Sequence, residues 1–387
     1  MLEEEEQLKL TPRMELIQYK FLMTLDDEII TNKKEIKEKI LKIAVEDKMA
    51  PYYSSICKKF GWGVDEETLK TLKNSNAEEL KKLNESIKNS EENDGESEIR
   101  KAYLAKSVFY CRIGEKEKAL ELFNETFNKT VSIGQKVDLL MTKIRMGFFF
   151  DDISLVETNL TSAKVILKKS SDWERKNRIK VYEGYHCLKL RQFKKAANFF
   201  LDSIATFTAN ELFDYTKFVY YSVLSSIVSF PRTDLKKKVI DAPEILTAIE
   251  EVPHLSELLN SLYDCQYKDF YKHLIAIYDG MELDKILSEH RLFFCKQMRI
   301  IAYSQFLEAY RSVTLKSMAE TFGVSITFLD KELSRFISGG KIHAKIDKVG
   351  GVVETTRADS RNEGYKEIIK IGDPMLNRIQ KLARILN

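Results

Sequence analysis

His186 and Cys187 are adjacent in this 387-residue chain, and they come closest of its residues to a thiol with its base. A cysteine nucleophile needs an imidazole placed to take its proton. Neighbours on a helix point about 100° apart, so the pair reads as core lining. The acidic pairs Asp26-Asp27, Glu91-Glu92 and Asp151-Asp152 have the types for acid–base work. Each falls near a loop or helix end, where capping and solvation account for it. The five cysteines are Cys57, Cys111, Cys187, Cys265 and Cys295, and the closest two are 30 residues apart. That odd, dispersed set fits neither a disulfide framework nor a cysteine zinc site. The five histidines are equally scattered and form no HExxH, which removes a metalloprotease reading. The single GxG, Gly61–Gly63, lacks a third glycine, and there is no Walker-type phosphate loop or nucleophile elbow. The sequence predicts no catalytic residue, no metal and no cofactor.

The elements that carry these residues are helical. Only 15 glycines and 6 prolines occur in the chain, which favours long helices with short connectors over sheets. The apolar share of 44% is enough for a sizeable core. Lys and Arg exceed Asp and Glu by only 3, so no global footprint for nucleic acid or anionic membrane exists. The longest uncharged run, Phe218–Phe230, has thirteen residues; that is too short to cross a bilayer and reads as buried core. Met1–Glu6 is acidic, unlike the basic start of a signal peptide. The expected location is the cytoplasm and nucleus.

Along the chain, residues 1–12 read as an acidic, mobile start. Helices are expected over Met14–Leu25, Lys33–Val45 and Lys48–Trp62, with a connector at Lys88–Ser97. A recurrent pattern follows. RIGEKEKALELF, starting at Arg112, aligns without gaps with KLRQFKKAANFF, 77 residues later. That offset is two helical hairpins of about 38 residues, the tetratricopeptide type, with Lys136–Leu167 as the hairpin between. Such hairpins bury their faces only by stacking into a solenoid. Pro231, Pro243 and Pro253 joint the middle of the array, and Arg291–Tyr310 resumes the helical pattern.

The texture changes at Val313. Thr314 caps a short helix to Phe322, Gly323 ends it, and a second helix spans Ile326–Ser338. Ile342, Ala344 and Ile346 then alternate with polar residues over Ile342–Asp347. Gly350-Gly351 makes a turn, and Val352–Thr355, with Val353, returns as a strand. This is the outline of a winged helix. A DNA reader needs several Arg, Lys, Asn or Gln on its second helix. Here Asp330, Lys331, Glu332 and Arg335 balance in charge, so strand pairing with a neighbour suits the hairpin better. In the tail, Pro374 reads as the first residue of a helix over Asp373–Asn387. Met375, Ile379, Leu382 and Leu386 form a seam at coiled-coil spacing, expected to join a bundle with other chains.

A solenoid running into a winged helix and a closing helix resembles the PCI-domain scaffold proteins. Within them the chain is similar to the 26S proteasome non-ATPase regulatory subunit 6 family. The resemblance is carried by KMAPYYSSICKKFGW (Lys48–Trp62), CRIGEKEKAL (Cys111–Leu120) and DWERKNRIKVYEGYHCL (Asp172–Leu188). It continues in MRIIAYSQFLEAYRSVTLKSMAETFGV (Met298–Val324) and FLDKELSRFISGGKIHAKIDKV (Phe328–Val349). The resemblance implies a non-enzymatic scaffold of the proteasome lid. Its implied partners are other PCI subunits, the two metalloprotease-fold subunits through a C-terminal helix bundle, a small acidic disordered lid protein and the ATPase ring. The expected division is an N-terminal helical segment (1–95), TPR-like repeats (96–312), the winged helix (313–357), and a linker with the bundle helix (358–387). A signalosome scaffold and a nucleic-acid-binding winged helix stay open as alternatives.

Overall fold

The computed structural model describes residues 8, 11–30, 32–93, 95–355 and 360–386, except the side chains of 360–363, 385 and 386. The described residues form two compact units. The first contains residues up to Ser256 together with Ile277–Arg291, and the second contains Glu257–Ala276 and Leu292 onward.

The first unit opens with α1 (Glu15–Leu22), α2 (Lys33–Glu46), α3 (Ala50–Phe60) and α4 (Glu66–Asn93). Helix α4 runs through most of the stretch expected to be a connector. The break comes only before α5 (Glu96–Ile113), which follows Gly95. Hairpins then repeat: α5 with α6 (Lys116–Lys129), α7 (Ile133–Phe150) with α8 (Ile153–Leu167), and α9 (Trp173–Lys189) with α10 (Phe193–Ser203). Helix α11 (Tyr215–Ser229) closes on α10, and its segment Val219–Ile227 is buried except at Tyr220. The prolines act as expected. Pro231 precedes the short α12 (Arg232–Leu235) and a π-helical turn (Lys236–Ile240), and Pro243 starts α13 (Pro243–Ile249).

Small residues set the spacing of the hairpins. Ala119, Ala163, Ala196 and Ala197 are fully buried. A Cβ on Gly184 would lie 2.4 Å from Phe200 Cε1, so α9 and α10 approach through that glycine. Capping fixes the hairpin ends: the Asp152 and Asp172 carboxylates accept from the amides of Leu155 and Arg175, each at 3.1 Å.

Helices α14 (Leu255–Tyr263) and α15 (Tyr267–Glu282) come next. The second unit is built on α16 (Arg291–Glu308), β1 (Ser312–Thr314), α17 (Leu315–Phe322), α18 (Ile326–Ser338), β2 (Ala344–Asp347), β3 (Val352–Thr355) and α19 (Ser360–Leu386). The Thr314 hydroxyl caps α17 and Gly323 ends it in the left-handed region, as the sequence predicts. The sheet has three strands in the order β1-β3-β2, all antiparallel, where the sequence reading foresaw two. Three residues of alternation at β1 are too few to register as a strand. Gly351, at φ +61°, supplies the left-handed residue of the wing turn.

Candidate functional site

The adjacent His186 and Cys187 both lie on α9. His186 is buried with its Nε2 3.5 Å from Glu157 Oε1, while Cys187 is half-buried. Burial pushes the Cys187 thiol up, and it raises that of Cys111 to about 12, away from a thiolate.

The polar side chains of the first unit join neighbouring hairpins instead. Arg175 clasps Asp138 at 2.9 and 2.7 Å across 37 residues. Arg145 donates to the Tyr182 hydroxyl at 2.7 Å across the same separation, and Lys116 reaches Asp152 at 2.6 Å across 36. These separations match one hairpin repeat. At the centre, the Glu211 side chain is nearly inaccessible and accepts from Arg178 at 2.6 Å and Tyr182 at 2.9 Å, with Arg145 at 3.8 Å. Burial would raise its carboxyl, but Arg178 and Arg145 outweigh that and hold it below its ordinary value. The start of the chain also joins this centre. Arg145 donates to the Leu8 and Thr11 carbonyls, and Leu8, Thr11 and Pro12 are buried. This corrects the expectation of a mobile segment for the described part of 1–12; residues 1–7, 9 and 10 lie outside the described residues.

The second unit has its own buried chain. Tyr271 donates to Tyr303 at 2.6 Å, Tyr303 to Glu332 at 2.8 Å, and Arg299 meets the other Glu332 oxygen at 3.0 Å. Glu332 is therefore a core group, not one of the surface charges weighed on α18, and Asp330 pairs with Lys348 of the wing at 3.4 Å. On α18, Lys331 and Arg335 are exposed, as are Ile326 and Phe328 in its first turn.

Of the strand residues singled out by sequence, Ile342, Ala344 and Val353 are buried within their own unit, while Ile346 and Val352 are half-buried. Strand β3 sits in the middle, with Val353 opposite Val313 on one side and Ile346 on the other. Both of its edges are used, whereas β2 has an outer edge without a strand among the described residues.

The tail differs most. Helix α19 begins at Ser360, so Pro374 lies inside it and not at its start. Every described residue from Tyr365 to Arg384 except Gly372 is exposed. Met375, Ile379 and Leu382 are 62%, 57% and 62% accessible; the side chain of Leu386 lies outside the described residues. Sequence reasoning missed the earlier part of the same stripe, Tyr365, Ile368, Ile369 and Gly372, because Pro374 was read as a boundary. The signal was the seven-residue spacing of Tyr365, Gly372 and Ile379 and of Ile368, Met375 and Leu382. No helix among the described residues is long and apolar enough to cross a membrane.

Three family models match successive stretches of the chain. Residues 65–238 match the family described as 26S proteasome subunit RPN7, and residues 266–357 match the PCI domain. Residues 365–385 match the RPN7/PSMD6 C-terminal helix of the 26S proteasome regulatory subunit. The chain is 47% identical over 376 residues to the 26S proteasome non-ATPase regulatory subunit 6 homolog of Arabidopsis thaliana, covering 97% of each. It is 37% identical over 395 residues to the regulatory subunit RPN7 of Saccharomyces cerevisiae, covering 96% of this chain and 92% of that one. COP9 signalosome complex subunit 1 of Arabidopsis thaliana is 30% identical over 198 residues, 51% of this chain.

Proposed function

The chain belongs to the 26S proteasome RPN7 (non-ATPase regulatory subunit 6) family of lid subunits, and on that premise we propose that it works as a scaffold through two surfaces, the outer edge of β2 and the apolar stripe of α19. It is a non-catalytic subunit of the regulatory lid with a PCI domain and a C-terminal helix. The exposed stripe of α19 carries the proposal. An amphipathic helix with its apolar side in water loses the burial that stabilises it, so its partner belongs to other chains. Met375, Ile379, Leu382 and Leu386 enter a helix bundle with the two metalloprotease-fold lid subunits. The main chain of the outer β2 edge and the half-buried Ile346 form the lateral contact with a neighbouring PCI subunit, while Ile342, Ala344 and Val353, buried in their own unit, hold the hairpin in place and Val352 flanks them on the central strand. The small acidic lid protein and the ATPase ring complete the partner set, in the cytoplasm and nucleus, in support of ATP-dependent degradation of ubiquitinated proteins.

The test is deletion of Asp373–Asn387 in cells that depend on this subunit. The truncated chain is expected to fold but to be missing from the lid in native mass spectrometry. Normal entry of the truncated chain into the lid would overturn the bundle. The same spectrum of the intact, tagged chain is expected to show proteasome ATPases and no cullin-associated subunits.

A further inference from the structure

Leu8 and the segment Thr11–Gln18, whose last residues open α1, are attached to the first unit in the manner of a bound peptide. The Arg145 guanidinium donates to the main-chain carbonyls of Leu8 and Thr11, contacts that read backbone and not side-chain identity. Gln18 makes a two-way amide pair: its Nε2 donates to the Leu283 carbonyl, and its Oε1 accepts from the Lys285 amide at 3.3 Å. Between them, Arg13 Nε lies 2.8 Å from Asp47 Oδ2. A cavity of about 800 Å³ is bounded by Pro12, Met14 and Ile17 on one side and by Val108, Phe213 and Tyr221 on another. Protein interiors are otherwise close-packed, and this volume falls in the range of ligand sites. The segment thus bridges the helical array more than it fills it, with Leu16 as its fully buried anchor.

We propose that Leu8 and Thr11–Gln18 form an exchangeable intramolecular ligand, and that the first unit is a receptor for a peptide of the same chemistry from another chain, one that enters a helix at the position of Glu15. Such a peptide carries a basic side chain for Asp47, an amide side chain for Leu283 and Lys285, and free carbonyls for Arg145. This surface is separate from the β2 edge and α19, so it stands or falls independently of the lid contacts proposed above.

The test uses the full-length chain and a fluorescent peptide with the sequence of residues 8–22. Arg13→Ala with Gln18→Ala in the protein weakens the resident segment and leaves the receptor residues intact. Fluorescence anisotropy is expected to give saturable binding at least ten-fold tighter to this variant than to the parent. A peptide carrying the same two substitutions is expected to lose binding. No saturable binding to either protein, or equal binding of a scrambled peptide, would overturn the proposal. Hydrogen exchange on the unaltered chain gives a second readout that does not depend on the variant folding. The amides of Leu16 and Ile17 are expected to exchange at least ten-fold faster than those of Leu140 and Ile144 in α7. Equal rates would mean that the segment opens only with the whole unit, and the idea fails.

Discussion

Helices α7 and α19 solve the same problem in opposite ways. Both carry enough apolar surface to demand a partner, and both include charged residues. In α7, everything from Leu139 to Phe149 is buried, Lys143 and Arg145 included. Its charged side chains find their partners inside the chain: Lys143 donates to Asn124 at 2.6 Å, and Arg145 to Tyr182, Thr142 and two backbone carbonyls. In α19 the apolar stripe faces solvent along its described length. The difference shows where stability is kept. The repeat array buries its apolar side within the chain, while the described part of the tail leaves its own in solvent.

The most damaging way to break the first half of that comparison is to remove Glu211. Glu211→Ala takes from Arg178 and the almost fully buried Arg145 the carboxylate they share, and leaves Arg178, among the described residues, only Asp138 at 4.0 Å. Breaking one side of a buried ion pair costs about 3–5 kcal/mol. Urea denaturation of the isolated chain is expected to show a loss of that size. A loss below about 1 kcal/mol would mean that the cluster is solvated and not a lock. The pH dependence has a definite sign. The Glu211 carboxyl is held below its ordinary 4.5 in the folded chain, so its contribution is complete above that value. It fades as pH falls through the folded value. The stability gap between the parent and Glu211→Gln is therefore expected to narrow below pH 4.5. A gap that is constant with pH would break the assignment.

A smaller effect is expected in the second unit. Glu332→Ala removes the acceptor for Tyr303 and the counter-ion of Arg299. Arg299 keeps 25% of its side chain accessible, so water takes over part of what is lost. The expected cost is about 1–3 kcal/mol, and Tyr303→Phe is expected to cost less in the Glu332→Ala background than in the parent, since the Tyr303–Glu332 bond is already gone and only the bond from Tyr271 is left to lose. Additive losses would show that Tyr303 and Glu332 act separately.

These locks were the least legible part of the sequence. The hairpins were readable because Gly, Ala and a regular apolar spacing recur at a fixed offset, and the contacts at 36 and 37 residues fall on that same period. The winged-helix order was readable from Thr314, Gly323 and the alternating wing. Nothing local marks Arg145 as a centre, because its partners come from Leu8, Thr142, Tyr182 and Glu211. Its only hint is a cation within the apolar run of α7. Glu332 read as a surface charge because helix position alone does not say which neighbour lies opposite. Leu8 and Thr11 looked loose for the same reason, since their partner is a side chain more than a hundred residues away. The four tail seam residues were readable by spacing, but Pro374 hid the two turns before them. It sits on the side of α19 away from the stripe, where the lost amide faces solvent and a proline is least disruptive.

The smallest expected effect is the most decisive for the comparison. Leu382→Asp in α19 places a carboxylate where the side chain is already exposed, so no desolvation follows and no cavity opens. Surface substitutions of this kind usually stay within about 0.5 kcal/mol, and the melting midpoint of the isolated chain is expected to hold. In a helix bundle the same carboxylate would be buried without a partner, at a cost of several kcal/mol, enough to exclude the chain from the lid. Thermal melting and co-purification of the lid from the same variant separate the two outcomes. If Leu382→Asp destabilises the isolated chain as much as a core substitution would, α19 is packed on its own chain in solution, and the contrast with α7 disappears.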